Sequence, residues 1–503
     1  MRTISFVTLA LLLAVFANGD VSAAPSCDSL RQLRLPDTTI TAAEQVPAGG
    51  FSQAGAGRGG QAYRDLPGFC RVSATLTPTT DSDIKVEVWL PESGWNGKFQ
   101  AVGNGAWSGA IGYAALADAL RLGYAASSTD TGHVGGSASF ALGHPEKLID
   151  FAYRSEHLMT VQAKAIVNAF YGTAPKYSYW NGCSAGGRQA LKEAQMFPQD
   201  FDGIIAGSPG LDWSGRTAQA VRIAQALQNE QARITASQLP LLHAAAVSAC
   251  DAQDGVKDGL IQNPAACKFD PAVLQCKSAG AANCLTAPQV ETARMIYSPI
   301  TNARTKRVIT GLVPGSELGW TDLGWTASAR STGLDHFRYV IFKDPAWDLL
   351  KFNAATDVPR LEDGESAALD ARDTNLKPFF DRGGKLLQYH GWSDPQISPL
   401  ASPTYYERVV AALGAGAVEK SYRLFMVPGM GHCTGGEGPN EFDKIGTLEA
   451  WVEQGKAPNQ ITATHRSGGQ ADRTRPLCAY PQVARYKGTG SIDEAANFNC
   501  VKP

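Results

Sequence analysis

The sequence predicts an α/β fold in which a mostly parallel sheet is interrupted by an inserted domain. Short apolar segments that suit buried strands alternate with helical segments as far as Pro209, and this alternation is typical of parallel sheets. From there to about Gly384 the chain is helical and rich in loops, and then the strand pattern resumes. A glycine-rich turn around Ser184, between a predicted strand and a helix, is the third indication.

The elements follow from local patterns. Polar and apolar residues alternate over 83–90, as in a half-buried strand, while the later predicted strands are shorter, and 124–128 and 203–207 suit buried strands. The predicted strands are 83–90, 98–102, 124–128, 178–181, 203–207, 384–390 and 423–427. The predicted helices are 157–170, 188–196 and 447–454. We divide the chain into a signal peptide (1–23), a first part of the α/β domain (24–209), an inserted domain (210–378) and a second part (379–503).

The first residues have the pattern of a secretory signal peptide. Arg2 supplies the positive charge, residues 4–16 are apolar, and Ala23 ends a small-residue cleavage site. The apolar run is shorter than the roughly 20 residues that span a bilayer. We therefore expect cleavage after Ala23 or Ala24 and a soluble exported protein, periplasmic or extracellular, with no membrane partner.

Composition excludes two classes of protein. Of the 503 residues, 44% are hydrophobic and 18% are charged, which suits a large core and excludes a disordered chain. The net charge is −2, and no run of Lys and Arg occurs. No basic excess is therefore available to displace counterions from phosphates, which argues against a nucleic-acid partner.

Ten cysteines follow the signal peptide, and an oxidising compartment favours disulfides. The absence of a C-x-x-C pair argues against a zinc ribbon or a thioredoxin-like site. Sequence alone does not fix the connectivity, but proximity suggests Cys27–Cys70, Cys250–Cys267, Cys276–Cys284 and Cys478–Cys500. Cys183 and Cys433 then remain as a distant pair.

The sequence Gly182-Cys183-Ser184-Ala185-Gly186 is a G-x-S-x-G motif in a strand–turn–helix context. A serine hydroxyl becomes a useful nucleophile only when it is exposed and has a base beside it. The glycines permit a sharp turn, and the following helix presents N–H groups. We predict that Ser184 is a nucleophile.

An acid and a base should follow the serine in the order Asp or Glu, then His. Asp394 comes just after a predicted strand, and His432 lies in a glycine-flanked loop after the next one. His390 is a rival base, but it falls on the strand, where a packed histidine is the better interpretation. The other histidines are interpreted as structural or surface residues: His133, His144, His157, His243, His336 and His465.

The developing oxyanion needs N–H donors. One should be the backbone N–H of Ala185, directly after the nucleophile. The second should come from the turn at 103–106, from either Gly105 or Ala106. The alternative for this turn is a tight connection with no catalytic part.

The inserted domain contains an aspartate-rich loop. Three carboxylates around glycines suit a hard cation with oxygen ligands, such as Ca²⁺. The candidate ligands are the side chains of Asp251, Asp254 and Asp258 and the carbonyls of Val256 and Leu260. The loop is not an EF-hand, because Gln262 stands where that motif needs Glu. A solvated acidic loop is the alternative; a bound ion would have a structural role.

At these residues the chain resembles the tannase and feruloyl esterase family. The resemblance covers nearly the whole mature chain and is most specific where cysteines adjoin Ser184 and His432. It implies an α/β-hydrolase fold with a large inserted lid domain, the triad Ser184, Asp394 and His432, one structural Ca²⁺ at the aspartate loop, and five disulfides that include Cys183–Cys433. Ala106 departs from the second glycine expected there, which leaves the second oxyanion donor open.

The resemblance also implies hydrolysis of esters of aromatic acids. We expect a secreted serine carboxylic-ester hydrolase of the feruloyl esterase type, with small feruloylated or galloylated plant-derived substrates. The alternatives are a tannase or another aryl esterase, mono(hydroxyethyl) terephthalate hydrolase included, then a serine peptidase or acyltransferase, or a non-catalytic binding protein. Candidates to stack on the aryl ring, although each is more often a core residue, are Trp320, Trp325, Phe337 and Tyr339.

Overall fold

The structure is a computed structural model that describes residues 26–53, 63–278, 281–323 and 332–503. The predicted signal peptide and Trp325 lie outside the described residues. Among the helices of the described ranges, none combines the length and the apolar character needed to cross a membrane.

The strands are numbered in chain order. They are β1 Thr38–Val46, β2 Phe69–Leu76, β3 Ile84–Pro91, β4 Lys98–Val102, β5 Ala125–Thr129, β6 Tyr177–Cys183, β7 Gly203–Gly207, β8 Ile300–Thr301, β9 Val308–Ile309, β10 Lys385–Gly391, β11 Tyr422–Val427, β12 Gln460–Ser467, β13 Gln470–Cys478, β14 Val483–Tyr486 and β15 Phe498–Val501. Every predicted strand is present, with small shifts at its ends.

The helices are numbered in the same way. They are α1 Tyr113–Arg121, α2 Pro145–Ile149, α3 Ser155–Tyr171, α4 Ala185–Met196, α5 Trp213–Ala226, α6 Leu239–Cys250, α7 Ala287–Tyr297, α8 Thr332–Asp335, α9 Ala354–Asp357, α10 Gly364–Ala368, α11 Lys377–Asp381, α12 Ala401–Leu413, α13 Ala415–Ser421 and α14 Lys444–Gln454. The three predicted helices correspond to α3, α4 and α14.

Within the described ranges, nine strands form one sheet in the order β1-β2-β3-β5-β4-β6-β7-β10-β11. The six strands from β5 to β11 in this order run parallel, whereas β1, β2, β3 and β5 pair antiparallel. The prediction of a mostly parallel sheet is confirmed for the half that carries Ser184, but β1, β2 and the antiparallel half were not predicted.

The central strands are buried on both faces. Ile204 of β7 packs into one core with Trp180 and Leu386, and the adjacent Ile205 packs into the core on the opposite face with Leu387. A strand that is covered on both sides often has a continuous apolar sequence, which explains why β7 was recognisable from its sequence.

The described residues between β7 and β10 add no strand to the large sheet, and β7 pairs directly with β10. The described residues of this segment form helices α5 to α11 and the small β8–β9 pair, with cores of their own. The boundaries of the lid at 210 and 378 stay a prediction.

His243 forms two ion pairs that connect the lid to the loop after β11. His243 of α6 donates from Nδ1 to Glu317 Oε2 (2.9 Å) and from Nε2 to Glu437 Oε2 (2.8 Å). Burial lowers the pKa of His243, but the two carboxylates outweigh burial and raise this pKa to about 9. Glu317 is itself buried and also accepts a hydrogen bond from Tyr297.

These ion pairs predict a pH-dependent stability. Because the folded pKa of His243 lies above the unfolded value of about 6.5, its contribution is fully present below pH ~6.5 and is lost as pH rises through about 9. Between these limits wild type should lose up to about 3 kcal/mol of unfolding free energy relative to His243→Gln. Denaturant titrations at several pH values measure this difference.

The matched control is His144→Gln, which removes an exposed His–Asp pair with Asp81 that should contribute little. Parallel stability curves for wild type and His243→Gln would contradict the prediction.

Candidate active site

Ser184 occupies the sharp turn between β6 and α4. Its φ is +64°, an uncommon conformation for a residue with a side chain, and its N–H donates to the carbonyl of Gly207 on β7 (3.0 Å). A Cβ on Gly182 would lie 2.3 Å from the carbonyl oxygen of Gly186, so this position requires glycine. The turn leaves the hydroxyl of Ser184 half-buried at the carboxyl edge of the sheet.

The structure brings Ser184, His432 and Asp394 together. Ser184 Oγ lies 2.8 Å from His432 Nε2, and His432 Nδ1 lies 2.7 Å from Asp394 Oδ2. Asp394 follows β10 and His432 follows β11. The six remaining histidines of the predicted set each bond to groups outside this trio.

The loop that carries His432 has to cross the sheet edge to reach the serine. β6 and β11 are three places apart, which is about 14 Å at the usual strand spacing. Gly391, at the end of β10, permits the crossing, because a Cβ there would lie 2.3 Å from the carbonyl oxygen of Met430 and 2.4 Å from that of Gly431. The loop therefore passes directly over the end of β10.

A disulfide holds the loop that carries His432 beside Ser184. Cys183 and Cys433, which adjoin the serine and the histidine, are bonded across 250 residues of sequence with their Cα atoms 6.0 Å apart. The other four bridges are the pairs that proximity suggests, so all five disulfides implied by the resemblance form: Cys27–Cys70, Cys250–Cys267, Cys276–Cys284 and Cys478–Cys500.

Asp394 is buried and held as an anion. Burial raises the pKa of Asp394, but the charge of His432 and hydrogen bonds from His390 and His432 outweigh burial and hold the pKa below its usual value. The backbone N–H groups of Gln396 (2.8 Å) and Ile397 (3.0 Å) donate to Oδ1. His390 is packed in the core, as the sequence favoured, but it also contacts Asp394, which the sequence did not predict.

The turn at 103–106 packs against the turn of the nucleophile. Gly186 N–H donates to the carbonyl of Asn104 (2.8 Å), and Asn104 N–H donates to Gln189 Oε1 (2.9 Å). Ala185 begins α4, where the N–H groups have no partner inside the helix. The second oxyanion donor, Gly105 or Ala106, stays a prediction; Ala106 has a φ of +44°.

Two supporting residues, Arg188 and Gln189, were missed as site residues. The buried guanidinium of Arg188 donates to the carbonyls of Ala152 (2.7 Å) and Phe151 (3.0 Å) and so anchors α4. Gln189 holds Asn104 and thereby the 103–106 turn. Polar residues beside a G-x-S-x-G motif were the available signal, but their partners lie far away in sequence.

A cavity of about 280 Å³ lies beside His432, with Ser316, Leu318, Pro395 and Glu437 in its wall. Two of the candidate stacking residues belong to lid cores and do not face it. Trp320 is buried and donates to Ser316 Oγ (3.0 Å), and Phe337 packs on Trp347. The half-buried Tyr339 packs against the core cluster around Trp107.

The aspartate loop is folded by its own hydrogen bonds. Asp251 accepts from the N–H groups of Asp258 (3.1 Å) and Gly259 (3.2 Å), and the buried Asp254 accepts from that of Val256 (3.2 Å). The side chain of Asp258 pairs with Arg475 on β13. The Cys250–Cys267 disulfide closes the segment.

The three aspartates are not gathered into a closed cage. Potential metal ligands are the side chains of His, Cys, Asp and Glu. In the ranges that the structure describes, the one group of three such ligands whose donor atoms all lie within 4.8 Å of one another is His157, Glu193 and Asp200. In that group His157 Nδ1 lies 2.6 Å from Asp200 Oδ2, a hydrogen-bond length, whereas two ligands of one tetrahedral zinc stand about 3.4 Å apart.

The sheet, the elbow turn and the Ser–His–Asp trio at the carboxyl ends of parallel strands define a hydrolase with the α/β-hydrolase fold. A family model described as tannase and feruloyl esterase matches residues 70–501. The chain belongs to this family and is a carboxylic-ester hydrolase.

Individual relatives agree with this assignment. The chain is 39% identical to an uncharacterized esterase of Xanthomonas campestris over 98% of this chain and 94% of the relative. It is 31% identical to a probable feruloyl esterase B-2 of Neosartorya fischeri over 98% of both chains. It is similar to the crystal structure of feruloyl esterase B from Aspergillus oryzae, with a TM-score of 0.88 and 29% identity over 94% of this chain and 99% of that one.

The Cys183–Cys433 bridge predicts a loss of activity that exceeds the loss of stability. Removing it with Cys183→Ala/Cys433→Ala should lower kcat/KM at least about 100-fold, because small displacements of catalytic groups have effects of that size. Closure of so long a loop contributes at most about 5 kcal/mol, so we expect a folded but impaired enzyme. Ester hydrolysis and thermal unfolding are measured on the same samples.

The matched control is Cys276→Ala/Cys284→Ala, which opens a lid bridge only 8 residues long and should preserve kcat/KM. If the Cys183–Cys433 variant loses activity only in proportion to its loss of folded protein, the bridge has no positioning role.

Proposed function

We propose that this enzyme hydrolyses esters of aromatic acids of the feruloyl type through an acyl-enzyme formed on Ser184. The observation that carries the proposal is the unbroken hydrogen-bonded series from Ser184 through His432 to Asp394. Similarity to feruloyl esterases over nearly the full chain supports the acid part of the substrate.

The geometry supports the following sequence of steps. His432 Nε2 takes the proton of Ser184 Oγ while the oxygen attacks the ester carbonyl, and Asp394 stabilises the imidazolium that forms. The N–H of Ala185 and one from Gly105 or Ala106 bind the oxyanion. The alcohol leaves with the proton from His432, and water then repeats the attack on the acyl-enzyme and releases the acid.

The proposal predicts turnover of methyl ferulate that depends on one hydroxyl. Purified enzyme and its Ser184→Ala form are compared on methyl ferulate and methyl gallate. Wild type should favour ferulate, and Ser184→Ala should reduce kcat by about 10⁴-fold or more, since the nucleophile is lost. Liberated ferulate and gallate are quantified by chromatography.

A suitable control is Ser139→Ala, which removes the hydroxyl of an exposed serine in a 3-10 turn and should leave turnover unchanged. A preference for gallate would make the enzyme a tannase with the same machinery. Hydrolysis that persists in Ser184→Ala would contradict the proposed nucleophile.

We also propose that the enzyme is exported. The five disulfides support this location, because they form and persist in oxidising compartments. The N-terminal charge and apolar pattern described above supplies the targeting signal. Mass spectrometry of the mature protein from culture medium or periplasm, with its N-terminus at Ala24 or Pro25, is the test.

The aspartate loop is our proposed Ca²⁺ site. The donor set fits a hard cation, because carboxylates and the carbonyls of Val256 and Leu260 are all oxygen ligands. The buried Asp254 favours a nearby cation, since a buried carboxylate needs compensation. Arg475 is ion-paired with Asp258 and acts on Asp254 only through its charge. A bound ion would neutralise the loop and stiffen the lid, with no part in the chemistry.

Chelation of the bound ion should therefore destabilise the enzyme without altering the chemistry at Ser184. We expect EDTA to lower Tm and added Ca²⁺ to restore it, and Asp254→Asn to abolish this response, because binding to the folded state stabilises it. Calcium content of the dialysed protein and calorimetry measure both effects. Asp363→Asn, at an exposed lid carboxylate, is the control. An unchanged Tm together with no retained calcium would contradict the site.

A further inference from the structure

A second imidazole contacts the carboxylate of Asp394. His390 lies on β10, and its Nε2 is 3.2 Å from Asp394 Oδ2, the same oxygen that faces His432 Nδ1. Both His390 and Asp394 are fully buried. The turn that follows β10 is closed by a hydrogen bond from Asp394 N–H to the carbonyl of Gly391 (3.2 Å). This turn folds back over the end of β10 and places the carboxylate of Asp394 against the ring of His390.

A buried series of hydrogen bonds stands behind His390. Tyr422 of β11 donates from its hydroxyl to Gln388 Oε1 (2.6 Å), and Gln388 Nε2 donates to Ser402 Oγ (2.7 Å). Ser402 Oγ in turn lies 2.7 Å from His390 Nδ1. Each of these side chains is buried, so every polar group in the series needs its partner.

The carboxylate decides the direction of the whole series. An ionised carboxylate only accepts hydrogen bonds, so His390 has to present a proton at Nε2. A neutral imidazole then accepts at Nδ1, and Ser402, which already accepts from Gln388, has its own proton free to donate there. The tautomer of His390 is thereby fixed by Asp394 at Nε2 and by Ser402 at Nδ1.

We propose that His390 is a positioning residue for the proposed reaction: its Nε2–H shares the negative charge of Asp394 and fixes the carboxylate that orients His432. This inference rests on the proposed function. Asp394 then accepts four hydrogen bonds, from His390, His432 and the N–H groups of Gln396 and Ile397. A carboxylate so fully bonded holds the proton of the neighbouring imidazolium less tightly.

Other charged and titratable groups also surround the pair formed by His390 and Asp394. The half-buried Arg216 of α5 acts on Asp394 through its charge and donates to the carbonyl of Gln396 (3.1 Å). His432 faces Asp394 from the loop after β11. Tyr422, the first residue of β11, is the last member of the hydrogen-bonded series. These groups are the same residues in every variant, so a difference between variants reports on His390.

The decisive variant is His390→Phe, which keeps a ring and removes both nitrogens. We expect kcat/KM to fall about 10- to 100-fold, the usual effect of losing a hydrogen bond to a charged group. The acid limb of kcat/KM against pH should move to higher pH by about 0.5 to 1 unit, because Asp394 with one donor fewer holds the His432 proton more tightly.

The conservative variant His390→Gln should recover most of both effects, since a carboxamide can donate to Asp394 and accept from Ser402. The matched control is His336→Phe. His336 is another buried histidine with a ring nitrogen 3.0 Å from a serine, Ser366, so it reports the cost of losing a packed imidazole. In His336→Phe the acid limb of kcat/KM against pH should lie at the same pH as in wild type.

Nitrogen-15 NMR of histidine-labelled enzyme supplies a second readout. The His390 signal, assigned from its disappearance in His390→Gln, should show the proton on Nε2. A proton on Nδ1 alone, or an acid limb that does not move in His390→Phe, overturns the inference. If wild type hydrolyses neither methyl ferulate nor methyl gallate, the proposed function has failed, and the NMR signal still decides the placement of the His390 proton.

Discussion

The structure depends on one constraint, which is that a serine and a histidine from strands three places apart must meet within a hydrogen bond. A parallel sheet places both strand ends at one edge but leaves them about 14 Å apart. The loop after β11 covers that distance by passing over Gly391. The bond between Cys183 and Cys433 then joins the two turns covalently, so the separation of Ser184 and His432 does not rest on side-chain packing alone.

The buried carboxylate of Asp394 complements this covalent link. An unpaired charge in the interior is costly, yet Asp394 receives two backbone and two imidazole donors. These donors come from β10, from the turn after it and from the loop after β11. The acid of the trio therefore joins β10 to the loop after β11, and the disulfide joins that loop to the turn of Ser184.

Sequence predicted the parallel half of the sheet because β7 is apolar throughout and the other strands of this half are short segments that alternate with helical ones, and it predicted Ser184, Asp394 and His432 from motif and order. It missed β1, where a mostly polar sequence becomes a strand only by pairing with β2. It also missed the contact of His390 with Asp394, which depends on the path of a turn. Trp320 and Phe337 show the same limit, because an apolar residue does not reveal whether it faces a core or a cavity.

The central claim is that His432, brought across the sheet edge, activates Ser184. Peptide mapping after reaction with a fluorophosphonate tests this claim most directly, with wild type and His432→Ala compared over time. The account predicts a single adduct on the peptide that contains Ser184, formed at least about 100-fold more slowly without His432. An adduct on another serine, or equal labelling rates in the two proteins, would contradict it.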